Sequence, residues 1–142
     1  MAKVERSITI NAPVGQVFAY IEDPMNNMDW VPSVIEIKDV TGSGVGQHWR
    51  WTYKMFGVRL GGESTVTEHI PNERRANQTK GGATSTWVFT FEPHDGGTRL
   101  NLNIEYTIPV PVLGKVAEKL VLKRNEREAD LAMANIKERM EG

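Results

Sequence analysis

Six aromatic residues fall at alternate positions in three short stretches: Trp49, Trp51 and Tyr53 in QHWRWTYKMF, Trp87 and Phe89 in STWVFTF, and Tyr106 in NLNIEYT. Alternation puts the members of each stretch on one face of a strand. Such side chains stack on rings and bury apolar surface, and Trp and Tyr keep one polar atom to aim at a partner. The chemistry this suits is recognition of a flat or greasy molecule. Polar residues in phase with them are few. Ser64 shares the apolar face of VRLGGESTVTEHI, and Asn125 lies in line with Leu122 and Ala129 on the closing segment. The candidate ligand-binding set is therefore Trp49, Trp51, Tyr53, Ser64, Trp87, Phe89, Tyr106 and Asn125. Gln47 stands in phase at the head of the first aromatic stretch.

Groups for bond-making are scattered. There is no cysteine, which removes thiol nucleophiles, thiolate metal sites and disulfides. His48, His69 and His94 have no second ligand at metal-like spacing, and strand alternation sends His48 and His69 outward. No metal is expected. The five serines (7, 33, 43, 64 and 85) lie in no nucleophile elbow. Gly42-Ser43-Gly44-Val45-Gly46 resembles part of a phosphate-binding fingerprint, but no helical pattern follows it. No cofactor is expected. Glu68 falls on the apolar face by alternation. It is either an acid or base with a raised pKa or the partner of a surface cation. No catalytic residue can be named.

The elements that must position the aromatics follow from periodicity. Lys3 to Ile10 alternates, with Val4, Ile8 and Ile10 on one side. Asn11-Ala12-Pro13 starts a short helix, with Asn11 as its cap and Val14, Val17, Phe18 and Ile21 buried. Trp30, in the irregular stretch after Asp23-Pro24, is a core plug or the lip of a pocket. Six further strands follow, separated by Gly- and Pro-containing turns. The Arg74 to Lys80 strand is polar and reads as an edge or half-exposed element. From about Val112 to Met140 the residues are good helix formers, giving a helix of ~40 Å. Its apolar stripe, through Leu113, Leu120, Met133 and Ile136, should face the sheet. The stripe is broken by Lys123 to Glu128, where Arg124 and Arg127 read as a solvated run. These strands predict an antiparallel sheet with one buried face, curled by twist, and only the long helix is left to cover its concave side. The fold class is α+β. The aromatics then either pack together or line a cavity between sheet and helix.

The order of elements, with SITINAPVGQVFAYIEDPMNNMDWVPSV, the WRWTYKMFG strand, VTEHIPNERR, DGGTRLNLNIEY and the closing helix, resembles the polyketide cyclase/dehydrase and lipid-transfer (START-like, SRPBCC) superfamily across nearly the whole chain. The resemblance implies a helix-grip fold, a curved antiparallel sheet wrapped around a C-terminal helix, enclosing an apolar pocket. Members bind lipids, sterols, polyketides, quinones or plant hormones, and some are catalysts. No catalytic signature transfers to a residue of this sequence.

The 142 residues suffice for one domain, 1–142. Lys plus Arg (17) nearly balance Asp plus Glu (18), which argues against a nucleic-acid partner. No run approaches the ~18 apolar residues of a membrane span, and the N-terminus has no signal-peptide pattern. A cytoplasmic location is expected. The favoured function is binding of a small hydrophobic molecule (lipid, polyketide or aromatic) in an internal pocket. The alternatives are a polyketide cyclase, aromatase or dehydratase, and a non-catalytic protein-interaction module.

Overall fold

The computed structural model describes residues 2–81, 84–107 and 118–142. Seven antiparallel strands form one sheet: β1 (Ala2–Ile10), β2 (Val34–Thr41), β3 (His48–Met55), β4 (Val58–Ile70), β5 (Arg74–Gly81), β6 (Ser85–His94) and β7 (Gly97–Tyr106). The spatial order is β1-β7-β6-β5-β4-β3-β2. Strands β2 to β7 run as a meander. The chain between β1 and β2, holding α1 (Val14–Glu22), a 3-10 turn (Pro24–Asn26) and α2 (Asn27–Trp30), carries it from one edge of the sheet to the other. The last element, α3 (Glu118–Glu141), packs along β1 and α2. This is the helix-grip architecture expected. Leu113 and the rest of the segment before residue 118 lie outside the described residues.

The apolar alternation of β6 and β7 puts Phe89, Phe91, Leu100, Leu102, Ile104 and Tyr106 into the core. There they meet Val17, Phe18 and Ile21 of α1 and Val121, Ala129, Met133 and Ile136 of α3. The far end of α3 is tied to β1. Lys137 Nζ donates to the Thr9 carbonyl at 2.7 Å, and the Asn11 N–H donates to Glu141 at 2.7 Å.

Several expectations need correction. Asn11 does not cap α1: Pro13 holds the N-cap position and no side chain caps the helix. Leu120 does not face the sheet but is 57% exposed, while its neighbour Val121 is fully buried. A stripe of period 3.6 continued through the polar turn Lys123 to Glu128 is displaced by one residue. Strand β5 is not an edge: it lies between β4 and β6, and Arg75, Asn77 and Thr79 are buried. Polarity there reflects the surface it faces rather than its place in the sheet.

A register shift between Val66 and Glu68 breaks simple alternation in β4. Such a bulge inserts one residue and exchanges the two faces beyond it. Glu68 therefore points outward and bonds Arg74, while Ile70 is 47% exposed. His69 turns inward instead, edge-on to Phe18 at 5.4 Å, with Nε2 at 3.1 Å from Glu22. His48, before the bulge, stays on the outer face beside Glu63 at 3.4 Å.

Candidate functional site

Between the concave face and the middle of α3 lies a cavity of ≈ 180 Å³. Apolar cavities of ~150 Å³ admit a benzene-sized molecule, so this space takes a ring without rearrangement. Trp49, Trp51, Tyr53, Ser64, Trp87, Phe89, Tyr106 and Asn125 all stand on its wall. So does Trp30, which is buried and meets Trp87 and Phe89 edge-on at 6.3 and 5.8 Å. All four tryptophans of the chain thus border one space.

The floor is built by strand register. Trp49 stands opposite Ser64, Ser64 opposite Thr79, Thr79 opposite Ser85, and Ser85 opposite Tyr106. Because these five share one face, they make a transverse row of hydroxyls between aromatic ends. Trp51 Nε1 donates to Ser64 Oγ at 3.0 Å, and Trp87 Nε1 donates to Ser85 Oγ at 3.0 Å. The hydroxyls of Thr79 and Ser85 lie 2.5 Å apart. The indoles are held by their own N–H groups, so their apolar faces stay available.

Trp51 lies flat only because β4 is bare beneath it. A Cβ on Gly62 would come within 2.5 Å of the Trp51 ring and 2.3 Å of the Lys80 carbonyl. The Gly61-Gly62 pair in the sequence is therefore a seat for an indole.

The next row places Asn77 between Val66 and Trp87, and the one after sets Arg75 opposite Phe89. Arg75 is 3% exposed. Its Nη1 donates to the Ile21 carbonyl and Nη2 to Gln47 Oε1, each at 2.9 Å, and the guanidinium lies 5.7 Å over the Trp49 ring. Burial pushes its pKa down to about 10, with Glu22 and then Asp23 pulling it back up. It remains a cation at neutral pH.

The helix side is polar at one point. Arg124 is not solvated as expected. It donates to the Lys54 carbonyl at 2.8 Å and to Ser33 Oγ, pairs with Glu128 at 3.2 Å, and lies 5.9 Å over Phe56. Ser33 Oγ in turn donates to Glu128 at 2.7 Å. This cluster ties the middle of α3 to the start of β2 and the end of β3. Arg127, by contrast, is exposed. Burial raises the pKa of the Tyr53 hydroxyl, opposed by Arg124. Burial also raises that of Tyr106, opposed by a hydrogen bond with Asn125 and reinforced by Glu126. Both phenols are therefore neutral donors at physiological pH.

Arg75, Asn77, Thr79, Ser85, Trp30 and the Arg124–Glu128 pair were not in the set read from the sequence. A signal for β5 was present. Asn77 and Thr79, the short polar residues, alternate with Gln78 and Lys80, the long ones. In phase with Ser64 and Trp87 across a hairpin, they had to face inward. Trp30, read as a core plug or the lip of a pocket, is buried and also borders the cavity; nothing local marked Arg124.

Among the described residues no group of three or more His, Asp or Glu side chains is placed to hold a metal ion. No described helix is long and apolar enough to cross a membrane.

Comparison with known proteins places this geometry. An uncharacterised 17.2 kDa protein of Streptomyces lincolnensis, from the melC2-rnhH intergenic region, is 29% identical over 133 residues, covering 92% of this chain and 85% of its own. The crystal structure of TTHA0849 from Thermus thermophilus superposes with a TM-score of 0.85 at 21% identity, covering 98% of this chain and 97% of that one. That of the Streptomyces Zhui aromatase/cyclase gives a TM-score of 0.74 at 16% identity, covering 97% and 94%. Residues 1–141 match the family described as polyketide cyclase / dehydrase and lipid transport, and with its sheet gripping α3 around a hollow interior, this chain belongs to that family.

Proposed function

We propose that this protein binds a small, ring-bearing hydrophobic molecule between the sheet and α3. The observation that carries the reading is the ≈ 180 Å³ cavity bordered by all four tryptophans. A ligand burying ~300 Å² of apolar surface gains ~7 kcal/mol before ordering costs. The hydroxyl row and the two neutral phenols supply the few polar contacts that orient a ligand in such sites. An interaction module would need no hollow interior, and the cavity weighs against it.

Since every tryptophan borders the site, intrinsic fluorescence reports on it directly. Titration with methylnaphthalene should quench or shift the emission saturably. A flat response up to the solubility limit, together with a full core-sized destabilisation by Trp51→Ala, would remove the pocket reading.

Glu128 favours a second reading. It is the single carboxylate among the described lining residues, and its Oε2 is buried with no hydrogen-bond partner among the described residues. In a cyclase or aromatase, the activity named for one structural neighbour, this oxygen is the group placed to accept a proton. Glu128→Gln would then abolish turnover of a polyketide-like substrate while leaving naphthalene binding intact. Unchanged turnover would dismiss that role.

A further inference from the structure

The cavity lining carries one positive charge more than it balances. Three described lining residues are charged: Arg75, Arg124 and Glu128. Arg124 and Glu128 pair with each other at 3.2 Å. The surplus is therefore Arg75, which is 3% exposed and forms no ion pair among the described residues. The two carboxylates whose field reaches it, Glu22 and Asp23, are engaged elsewhere. Glu22 of α1 holds His69 Nε2 at 3.1 Å, and Asp23 accepts the Met25 N–H at 3.0 Å. The other elements around Arg75 bring no anion: β4 sets His69 opposite it, β6 sets Phe89 opposite it, and β3 lays Trp49 under it.

A guanidinium carries five N–H donors. Here Nη1 meets the Ile21 carbonyl, Nη2 meets the neutral Gln47 amide, and Nε has no hydrogen-bond partner among the described residues. A buried charge held only by neutral groups is costly. An anion carried in by a ligand relieves that cost, and the planar fork of a guanidinium matches the two oxygens of a carboxylate.

Strand register says where the rest of such a ligand lies. Arg75 stands opposite Phe89, and Asn77 opposite Trp87 forms the next row. Rows two residues apart on a strand are separated by ~7 Å. A bicyclic ring centred on the second row carries a carboxyl group on its edge to the first.

We propose that the ligand is an aromatic acid, its ring against Trp87 and Phe89 and its carboxylate the counter-ion of Arg75. The inference rests on the ring-binding site proposed above and adds the charge of what that site takes.

Three probes share one ring: naphthoate, naphthamide and methylnaphthalene, each titrated against the full chain at neutral pH by tryptophan fluorescence. Naphthamide copies the shape of the carboxylate without its charge. Naphthoate should bind about tenfold more tightly than naphthamide, the lower end of what a hydrogen bond to a charged group contributes. The deciding variant lies outside the cavity lining. Gln47→Glu keeps the size of the side chain and turns the amide oxygen that faces Arg75 Nη2 into a carboxylate. With its counter-ion built in, Arg75 should no longer select an anion. Naphthoate should fall to the level of naphthamide, whose own affinity stays as it was. Naphthoate binding no tighter than naphthamide to the wild-type chain would overturn the inference. So would a naphthoate advantage that persists in Gln47→Glu, since the anion would then sit on another group. If that variant does not fold, the order of the three probes on the wild-type chain decides. Failure of all three to bind removes the ligand site and this inference with it, whereas binding of methylnaphthalene without a naphthoate advantage removes only the inference.

Discussion

The two ends of the concave face are made from similar residues and end in opposite states. Under α1 the sheet is packed solid: Phe18 meets Phe91 at 5.0 Å, and Val17 and Leu100 are without exposure. Under the middle of α3 the sheet carries Trp49, Trp51, Trp87 and Phe89, yet a hollow remains. The difference lies in the covering helix. Helix α1 presents Val17 and Phe18, whereas α3 presents the small Ala129 and Ala132 beside the polar Arg124, Asn125 and Glu128. Methyl groups facing indoles leave volume that no rotamer can reach. Aromatic content alone therefore does not set whether a sheet face is core or cavity. The size of the opposing side chain does.

The comparison can be broken most directly by truncation at each end. Phe18→Ala should destabilise by about 3–5 kcal/mol in urea unfolding, as large core truncations do. Trp51→Ala should cost clearly less, because that ring already has a free flank. Equal losses would show that both ends are packed alike.

Filling the hollow should make the second end resemble the first. Ala132→Leu places a branched side chain on the α3 side of the cavity. Methylnaphthalene affinity should fall at least tenfold, about 1.4 kcal/mol, with stability changed by less than about 1.5 kcal/mol, since the space is already there. Unchanged binding would mean the ring sits elsewhere.

A finer cut is Trp51→Phe, which keeps a ring and deletes the N–H that holds Ser64. The expected loss is about 1 kcal/mol of stability, the net value of one buried hydrogen bond. No loss would show that the Ser64 bond does not set the indole's pose.

The smallest effect is the pH dependence. Burial raises the pKa of Tyr20, Tyr53 and Tyr106. Their contribution to stability is complete below the unfolded value of ~10 and is lost as pH rises through the folded values. Arg75 works in the other sense. Its folded value is lowered to about 10, so the penalty for burying its charge is constant below that pH and is relieved above it. Phenolate absorbance should therefore appear later in the folded chain than in urea. Tyr53→Phe should reduce that delay, and an unchanged titration curve would contradict the burial of Tyr53.

Much of this was legible in the sequence because it follows from local periodicity. Alternation in β3, β6 and β7 put Trp49, Trp51, Trp87, Phe89 and Tyr106 on the inner face. The missing cysteines and dispersed histidines removed whole classes of chemistry. The break in the apolar stripe at Lys123 to Glu128 reads as solvated, whereas Arg124, Asn125 and Glu128 border the cavity. What failed was everything that depends on a neighbour distant in the chain. The bulge after Val66 exchanged the faces of Glu68 and His69, because a single inserted residue is silent in a period-two pattern. The polar β5 is central because the meander sets it between β4 and β6, where Thr79 stands level with Ser64 and Ser85. Arg124 left the solvent because the Lys54 carbonyl and Ser33, about seventy and ninety residues away, needed a donor. Periodicity determines which side of its own element a residue occupies. Whether that side meets a side chain, a cavity or water depends on the volume and polarity of the element opposite, and only the tertiary structure brings that element there.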